Sequence, residues 1–152
     1  IELAYKRTRG SGIGTEPSAD ALPVFCDGDQ VCIKLEVPKD GHLVIVNDSR
    51  DSLTCLMPSH FAPRMTVKAG KVRIPTSSDF PCFPVGGRPG RYRIYGVWFA
   101  QRPRITLAAT EGEHNPPCDL DPHEFVELVE LAQKASARAG AVMVAFGDYE
   151  KR

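Results

Sequence analysis

The sequence lacks the signs by which several classes of protein are recognised. Lys plus Arg and Asp plus Glu number 19 each among 152 residues, so no net charge draws the chain to nucleic acid or to an acidic membrane. No run approaches the roughly 20 continuous apolar residues of a membrane span, and no signal-peptide pattern opens the chain. We therefore expect no membrane partner, and we interpret the chain, which begins at Ile1, as a piece of a longer protein.

The cysteines show no Cys-x-x-Cys spacing and are odd in number. They lie in apolar or strand-like surroundings, at Cys26, Cys32, Cys55, Cys82 and Cys118. This usage favours free buried thiols in a reducing compartment over a disulfide framework. It predicts a cytoplasmic protein.

Motifs for catalysis and for nucleotide binding are also missing. Neither Gly-x-Ser-x-Gly nor Gln-Ala-Cys-x-Gly occurs, and the glycines of residues 10–14 lack the Gly-Lys-Ser/Thr ending of a P-loop. We interpret residues 10–14 as part of a flexible linker. The sequence thus predicts a non-enzymatic chain that needs no cofactor, with any catalytic domain lying upstream in the parent protein.

What the sequence does contain is strand alternation. Apolar residues alternate with polar ones from Val31 to Val37, which predicts a strand with one face toward a core. Pro38 to Gly41 has turn chemistry and predicts a hairpin to a second strand at His42 to Asn47. The run Leu43 to Val46 is apolar on both faces, as in a central strand.

The longest predicted strand and the C-terminal part follow a second turn. Gly86 to Gly90 is a strong turn signal before a strand at Arg91 to Ala100, with Tyr92, Ile94 and Trp98 on the inner face. Asp121 to Glu124 predicts a helix start with a capping box, and Gly140 a helix end. Ala141 to Phe146 predicts a final strand that pairs with an N-terminal strand at residues 2–7.

Together these segments predict a single domain over residues 1–152. Its fold class is mainly β: an immunoglobulin-like antiparallel β-sandwich with one C-terminal α-helix and an added strand. The N-terminal strand and flexible linker occupy 1–20, the sandwich core 21–109, and an acidic loop, the helix and the final strand 110–152.

A family resemblance extends over residues 28–103. Its motifs are Gly28-Asp29, Gly41-His-Leu-Val-Ile-Val46, Leu56-Met-Pro58, Lys68-Ala-Gly70, Ile74-Pro75, Pro89-Gly90 leading into Tyr92 to Phe99, and Arg102-Pro103. Their order and spacing resemble a bacterial domain of unknown function, number 4384 in the usual domain naming. The chain departs from that family's pattern at Met57 and Ser59, where the family has Phe and Asn.

This resemblance implies an accessory β-sandwich domain and no catalytic residues. Domains of this kind are attached to effector domains such as caspase-like or trypsin-like peptidases or protein kinases, and they also occur in envelope proteins. The resemblance therefore implies a non-catalytic interaction or regulatory module of a larger bacterial protein.

Charge segregation suggests where a partner binds. Residues 88–104 carry five arginines and no acid, interleaved with aromatic residues, whereas residues 111–130 carry seven acids and no Lys or Arg. Complementary sign favours contact with protein, either another domain of the same polypeptide or a separate subunit, over nucleic acid. Partner contact is therefore predicted for Arg88, Arg91, Arg93 and Tyr95.

Two alternatives remain open from the sequence. The same basic, aromatic strand face could bind nucleic acid or another anion through phosphate contacts and base stacking. His114, Cys118 and His123 lie in one loop and could ligate zinc, although a closed site needs a fourth ligand, such as Asp119 or Cys26, and the local prolines and helix cap already explain the segment.

Overall fold

The structure, a computed structural model, describes residues 2–6, 22–49, 51–76, 78–79, 82–103, 111–112, 116–136 and 142–152. Within these ranges the chain forms, in order, β1 (Glu2–Lys6), β2 (Val24–Phe25), β3 (Gln30–Val37), β4 (Gly41–Ser49), β5 (Leu53–Met57), β6 (Thr66–Val67), β7 (Gly70–Ile74), β8 (Phe83–Pro84), β9 (Gly90–Phe99), β10 (Cys118–Asp119), α1 (Pro122–Ser136) and β11 (Val142–Lys151). The predicted linker glycines and Gly140 lie outside the described residues.

The first sheet is built around β3. This strand pairs with β1 on one side and with β7 and β8 on the other, always antiparallel. The predicted alternation is confirmed, because Val31, Ile33, Leu35 and Val37 are buried while Lys34 and Glu36 are exposed. The inner face of β3 therefore supplies one wall of the core.

The second sheet is larger and is centred on β4 and β9. Its order is β10, β5, β4, β9, β11, β2, with β6 also paired to β4. The pair of β11 with β2 is parallel and the other pairs are antiparallel. Tyr92, Ile94 and Trp98 lie in the core between the sheets, as the sequence predicts.

Two predicted strand pairings are wrong. Residues 38–40 do not close a hairpin, because β3 and β4 belong to different sheets. The edges of β3 are already paired, and β4 buries Leu43 to Val46 on both faces only in the middle of the second sheet. Likewise β11 pairs with β9 and β2 and not with β1.

Helix α1 forms a third layer on the outer face of the second sheet. Its capping box is confirmed, since Asp121 Oδ1 accepts from the His123 amide at 2.7 Å and Glu124 Oε2 accepts from the Asp121 amide at 2.9 Å. Leu128 and Ala132 pack into a cluster with outward residues of the sheet, which are Val44, Val46, Cys55, Val97 and Phe99. No helix of the described residues has the length and apolar character needed to cross a membrane.

The expectation of free thiols is wrong for two of the five cysteines. Cys32 and Cys82 form a disulfide with a Cα–Cα distance of 4.7 Å, whereas Cys26, Cys55 and Cys118 are free. β8 pairs with β3 at Gln30 and Val31, which brings Cys82 beside Cys32 across a sequence separation of 50. The predicted fold class is nevertheless confirmed: a mainly β sandwich of two sheets with an added strand and, in the described residues, a single C-terminal helix.

Candidate partner-binding groove

The four residues predicted to contact a partner line one groove. Arg88, Arg91, Arg93 and Tyr95 border a depression of about 910 Å³ on the outer face of the second sheet. Its remaining wall includes three acids, Asp48, Asp51 and Asp148, and the exposed side chain of Leu22. We call this depression the groove.

Strand alternation and the position of α1 together create the groove. Arg91, Arg93 and Tyr95 point away from the core because Tyr92, Ile94 and their inward neighbours point into it. The same outer face continues along β9 as Val97 and Phe99, but there α1 covers it. Tyr95 lies at the boundary, with its ring centroid 5.3 Å from that of Phe125 in the helix.

The arginines of the groove face acids from neighbouring segments. Arg93 donates from Nε to Asp148 Oδ1 at 2.5 Å and from its terminal nitrogen to Asp148 Oδ2 at 2.7 Å. The Arg93 hydrogen bond holds the pKa of Asp148 below its usual range, and the bond to Asp148, followed by one to Tyr95, raises the pKa of Arg93. Arg88 pairs more loosely with Asp51, at 3.4 Å.

Asp48 and Arg91 make fewer contacts than these pairs. Asp48 lies opposite Arg93 in the β4–β9 register, and desolvation raises its pKa although the charge of Arg93 acts in the other direction. Arg91 is exposed and forms no ion pair with the described residues. The groove therefore contains one carboxylate and one guanidinium that form no direct ion pair with the described residues, although the charge of Arg91 also contributes to the lowered pKa of Asp148.

The rim of the groove is held in place from below. The Tyr92 hydroxyl donates to the Arg88 carbonyl at 2.6 Å, and the Tyr92 ring stacks on Tyr149 at 5.0 Å. Lys151 is only 3% exposed, and its Nζ donates to the Gly87 carbonyl and pairs with Asp27 Oδ1 at 3.0 Å. These contacts order the turn at residues 86–90, so the rim is formed before a ligand binds.

Sequence reasoning identified the basic side of the groove and missed its acidic side. Asp48 and Asp148 of the acidic side, and Lys151 beneath the rim, lie in strands whose pairing the sequence does not specify. No local sequence signal therefore identifies them as part of the groove. The basic and acidic runs of the sequence contact each other outside the groove, where Arg102 pairs with Glu111 at 3.0 Å. Arg104 lies outside the described residues.

The residues of the zinc hypothesis are described only in part. Cys118 lies in β10 directly opposite Cys55, and burial raises the pKa of both thiols, that of Cys55 to about 12. His123 is exposed in the first turn of α1, and His114 lies outside the described residues. The described part of the chain contains no group of three His, Cys, Asp or Glu arranged to hold a metal ion. A zinc site that includes His114 stays a prediction.

Comparison with known proteins identifies the family. Residues 24–98 match the family model described as Domain of unknown function (DUF4384), whereas no curated protein and no solved structure matches the chain. The match runs from the start of β2 nearly to the end of β9, so it includes the basic side of the groove and ends before Asp148. The resemblance inferred from the turn and strand motifs is thereby confirmed, and the domain at residues 24–98 belongs to the DUF4384 family of domains of unknown function.

Proposed function

We propose that this domain is a non-catalytic interaction module of a larger bacterial protein and that the groove binds a protein partner. The partner is another domain of the same polypeptide or a separate subunit. A peptidase-type effector, caspase-like or trypsin-like, is the parent protein that the family resemblance implies. The observation that carries the proposal is the groove itself, in which all four predicted contact residues meet on a preformed surface.

The charge of the groove supports a protein ligand. Three arginines and three aspartates line it, so its formal charges balance. A surface of mixed charge is complementary to another protein surface of mixed charge, and such complementarity sets orientation and partner choice. Arg91 supplies a guanidinium for a partner carboxylate, and the ring of Tyr95 supplies the aromatic contact that is enriched in protein interfaces.

The balanced charge of the groove gives less support to the nucleic-acid alternative. A strand of nucleic acid presents repeated phosphates, and its affinity comes from several arginines and lysines that act without nearby acids. In the groove Arg93 is bound by Asp148 and Arg88 faces Asp51. Only Arg91 is left for a phosphate among the three arginines of the groove.

A charge reversal at Arg91 tests the proposal. A photo-reactive amino acid at position 91, introduced in the bacterium that carries the parent protein, captures the partner, and the binding affinity of the captured protein is then measured with purified domain. We expect Arg91→Glu to weaken this binding about tenfold or more, the usual effect of losing a central charged contact.

Arg64→Glu is the matched control. Arg64→Glu changes the net charge by the same amount as Arg91→Glu. Because Arg64 is exposed and does not line the groove, we expect its reversal to leave partner binding unchanged. Equal effects of the two reversals, or capture of nucleic acid at position 91, would refute the proposal. Comparable capture of protein from positions 64 and 91 would refute it as well.

The cytoplasmic location stays a prediction. The free thiols of Cys26, Cys55 and Cys118 are consistent with a reducing compartment. The Cys32–Cys82 disulfide is more typical of an oxidising one. Fractionation of the bacterium with an antibody against the domain would decide between them.

A further inference from the structure

The two residues of the Cys32–Cys82 disulfide differ in their exposure to solvent. Cys32 lies on the outer face of β3 yet is only 4% exposed, whereas Cys82 is half-buried, in the segment that leads into β8. A thiolate that attacks a disulfide must approach one sulfur along the bond. Access therefore favours attack at Cys82, with Cys32 as the leaving group.

A guanidinium lies against the sulfur that would leave. A terminal nitrogen of Arg73, in β7, is 3.0 Å from Cys32 Sγ and 3.7 Å from Cys82 Sγ. Arg73 is opposite Lys34 in the β3–β7 register, and Lys34 is two residues from Cys32 on the same face of β3. A positive charge beside a cysteine stabilises its thiolate, and a more stable thiolate leaves faster.

We propose that the Cys32–Cys82 disulfide is a thiol-exchange site, in which a dithiol reductant attacks Cys82 and Arg73 stabilises the departing thiolate of Cys32. The reductant's first thiolate forms a bond to Cys82 Sγ while the bond between the two protein sulfurs breaks, and the electron pair stays on Cys32. The reductant's second thiolate then attacks the reductant sulfur of this mixed disulfide, and the Cys82 thiolate is released. The protein gains two electrons and, on protonation of the thiolates, two protons; the dithiol becomes a disulfide.

Reduction kinetics test the role of Arg73. The rate of disulfide reduction by dithiothreitol is measured in the Cys26→Ser background, which removes the exposed free thiol. We expect Arg73→Gln to slow reduction about threefold or more, and Arg73→Lys to be intermediate. Lys71→Gln is the matched control, since Lys71 is exposed on the same face of β7 and lies opposite Glu36, away from Cys32.

A second readout separates this role from a structural one. In the reduced protein the ultraviolet absorbance of the thiolate is followed as pH rises. Arg73→Gln should delay the appearance of the Cys32 thiolate, whereas Lys71→Gln should leave it unchanged. Equal effects of the two variants on rate and titration would overturn the proposal.

Mapping the mixed disulfide tests the direction of attack. The oxidised Cys26→Ser protein is exposed briefly to reduced glutathione, quenched with acid and digested for mass spectrometry. We expect glutathione on Cys82. Glutathione on Cys32, or reduction only at the rate of global unfolding, would overturn the proposal. The mapping does not use the Arg73 variant, so it tests the proposal even if Arg73→Gln fails to fold.

Discussion

The outer face of the second sheet has two halves that are built from the same strands and behave oppositely. At one end of β4 and β9, Val44, Val46, Val97 and Phe99 are buried under α1. At the other end, Asp48, Arg91 and Arg93 lie open in the groove. The outer face of each strand changes from apolar to charged, whereas Leu43 and Ile45 of β4 and Tyr92, Ile94 and Trp98 of β9 lie in the core between the sheets.

This difference separates what stabilises the fold from what is available for binding. The covered half gains free energy from buried apolar surface, at about 25 cal/mol per Å². The open half contains ion pairs whose side chains are partly or largely exposed, and such pairs contribute little to stability. Substitutions in the covered half should therefore change mainly the stability of the fold, and substitutions in the open half mainly the binding of a partner.

The largest effect is expected where the helix is anchored. Leu128 is fully buried between α1 and the sheet, so Leu128→Ala removes apolar contacts and leaves a cavity. We expect the free energy of unfolding to fall by about 2–5 kcal/mol, measured by chemical denaturation. Val126, on the same helix, is 52% exposed, and Val126→Ala should change stability by no more than about 0.5 kcal/mol. Similar losses in both variants would show that α1 does not cover the sheet as described.

A second variant compares the packed end of β4 with the open turn of the groove rim. A Cβ at Gly41 would meet the indole of Trp98 and the Phe99 carbonyl oxygen, the latter at 2.5 Å, whereas a Cβ at Gly86 meets nothing within 4 Å. Gly41→Ala should therefore lower the free energy of unfolding by about 1–3 kcal/mol through overpacking. Gly86→Ala should be nearly neutral, and both variants are measured by thermal denaturation. A neutral Gly41→Ala would contradict the close packing of Trp98 on β4.

The smallest effects concern two of the three aspartates of the groove, Asp48 and Asp148, and have opposite signs. Because the pKa of Asp148 is lowered on folding, its ionisation stabilises the protein above the unfolded pKa, and this stability is lost as pH falls through the folded pKa. Because the pKa of Asp48 is raised, its ionisation costs stability above the folded pKa, and acid relieves that cost. Asp148→Asn should therefore lower stability at neutral pH and Asp48→Asn should raise it, as measured by denaturation between neutral and acid pH. NMR titration that placed both carboxyls on the same side of 3.8 would contradict this.

The sequence predicts which face of a strand is buried better than it predicts which strand lies beside it. Alternation from Val31 to Val37 placed the core face of β3 correctly, because side chains alternate with period two whatever the partner strand. Pairing depends on tertiary packing, so the hairpin of β3 with β4 was wrong. The apolarity of Leu43 to Val46 on both faces did carry information about a covering layer, which the structure identifies as α1.

The difficulty of predicting strand pairing also explains which parts of the groove could be predicted from the sequence. Arg91, Arg93 and Tyr95 could be predicted to share a face because they are two residues apart in one strand. The bond of Arg93 to Asp148 and the disulfide of Cys32 with Cys82 join positions 55 and 50 residues apart. Neither spacing carries a local signal, since only the arrangement of the sheets brings these residues together.

The late position of β11 in the chain has a consequence for synthesis on the ribosome. β9 lies between β4 and β11, and β11 also pairs with β2. Until residues 142–151 emerge, the nascent second sheet ends at β9 with an unpaired edge, the kind of edge that recruits strands from other chains. Rapid completion of translation and shielding by a chaperone should therefore raise the yield of this domain more than they do for proteins whose sheets close early.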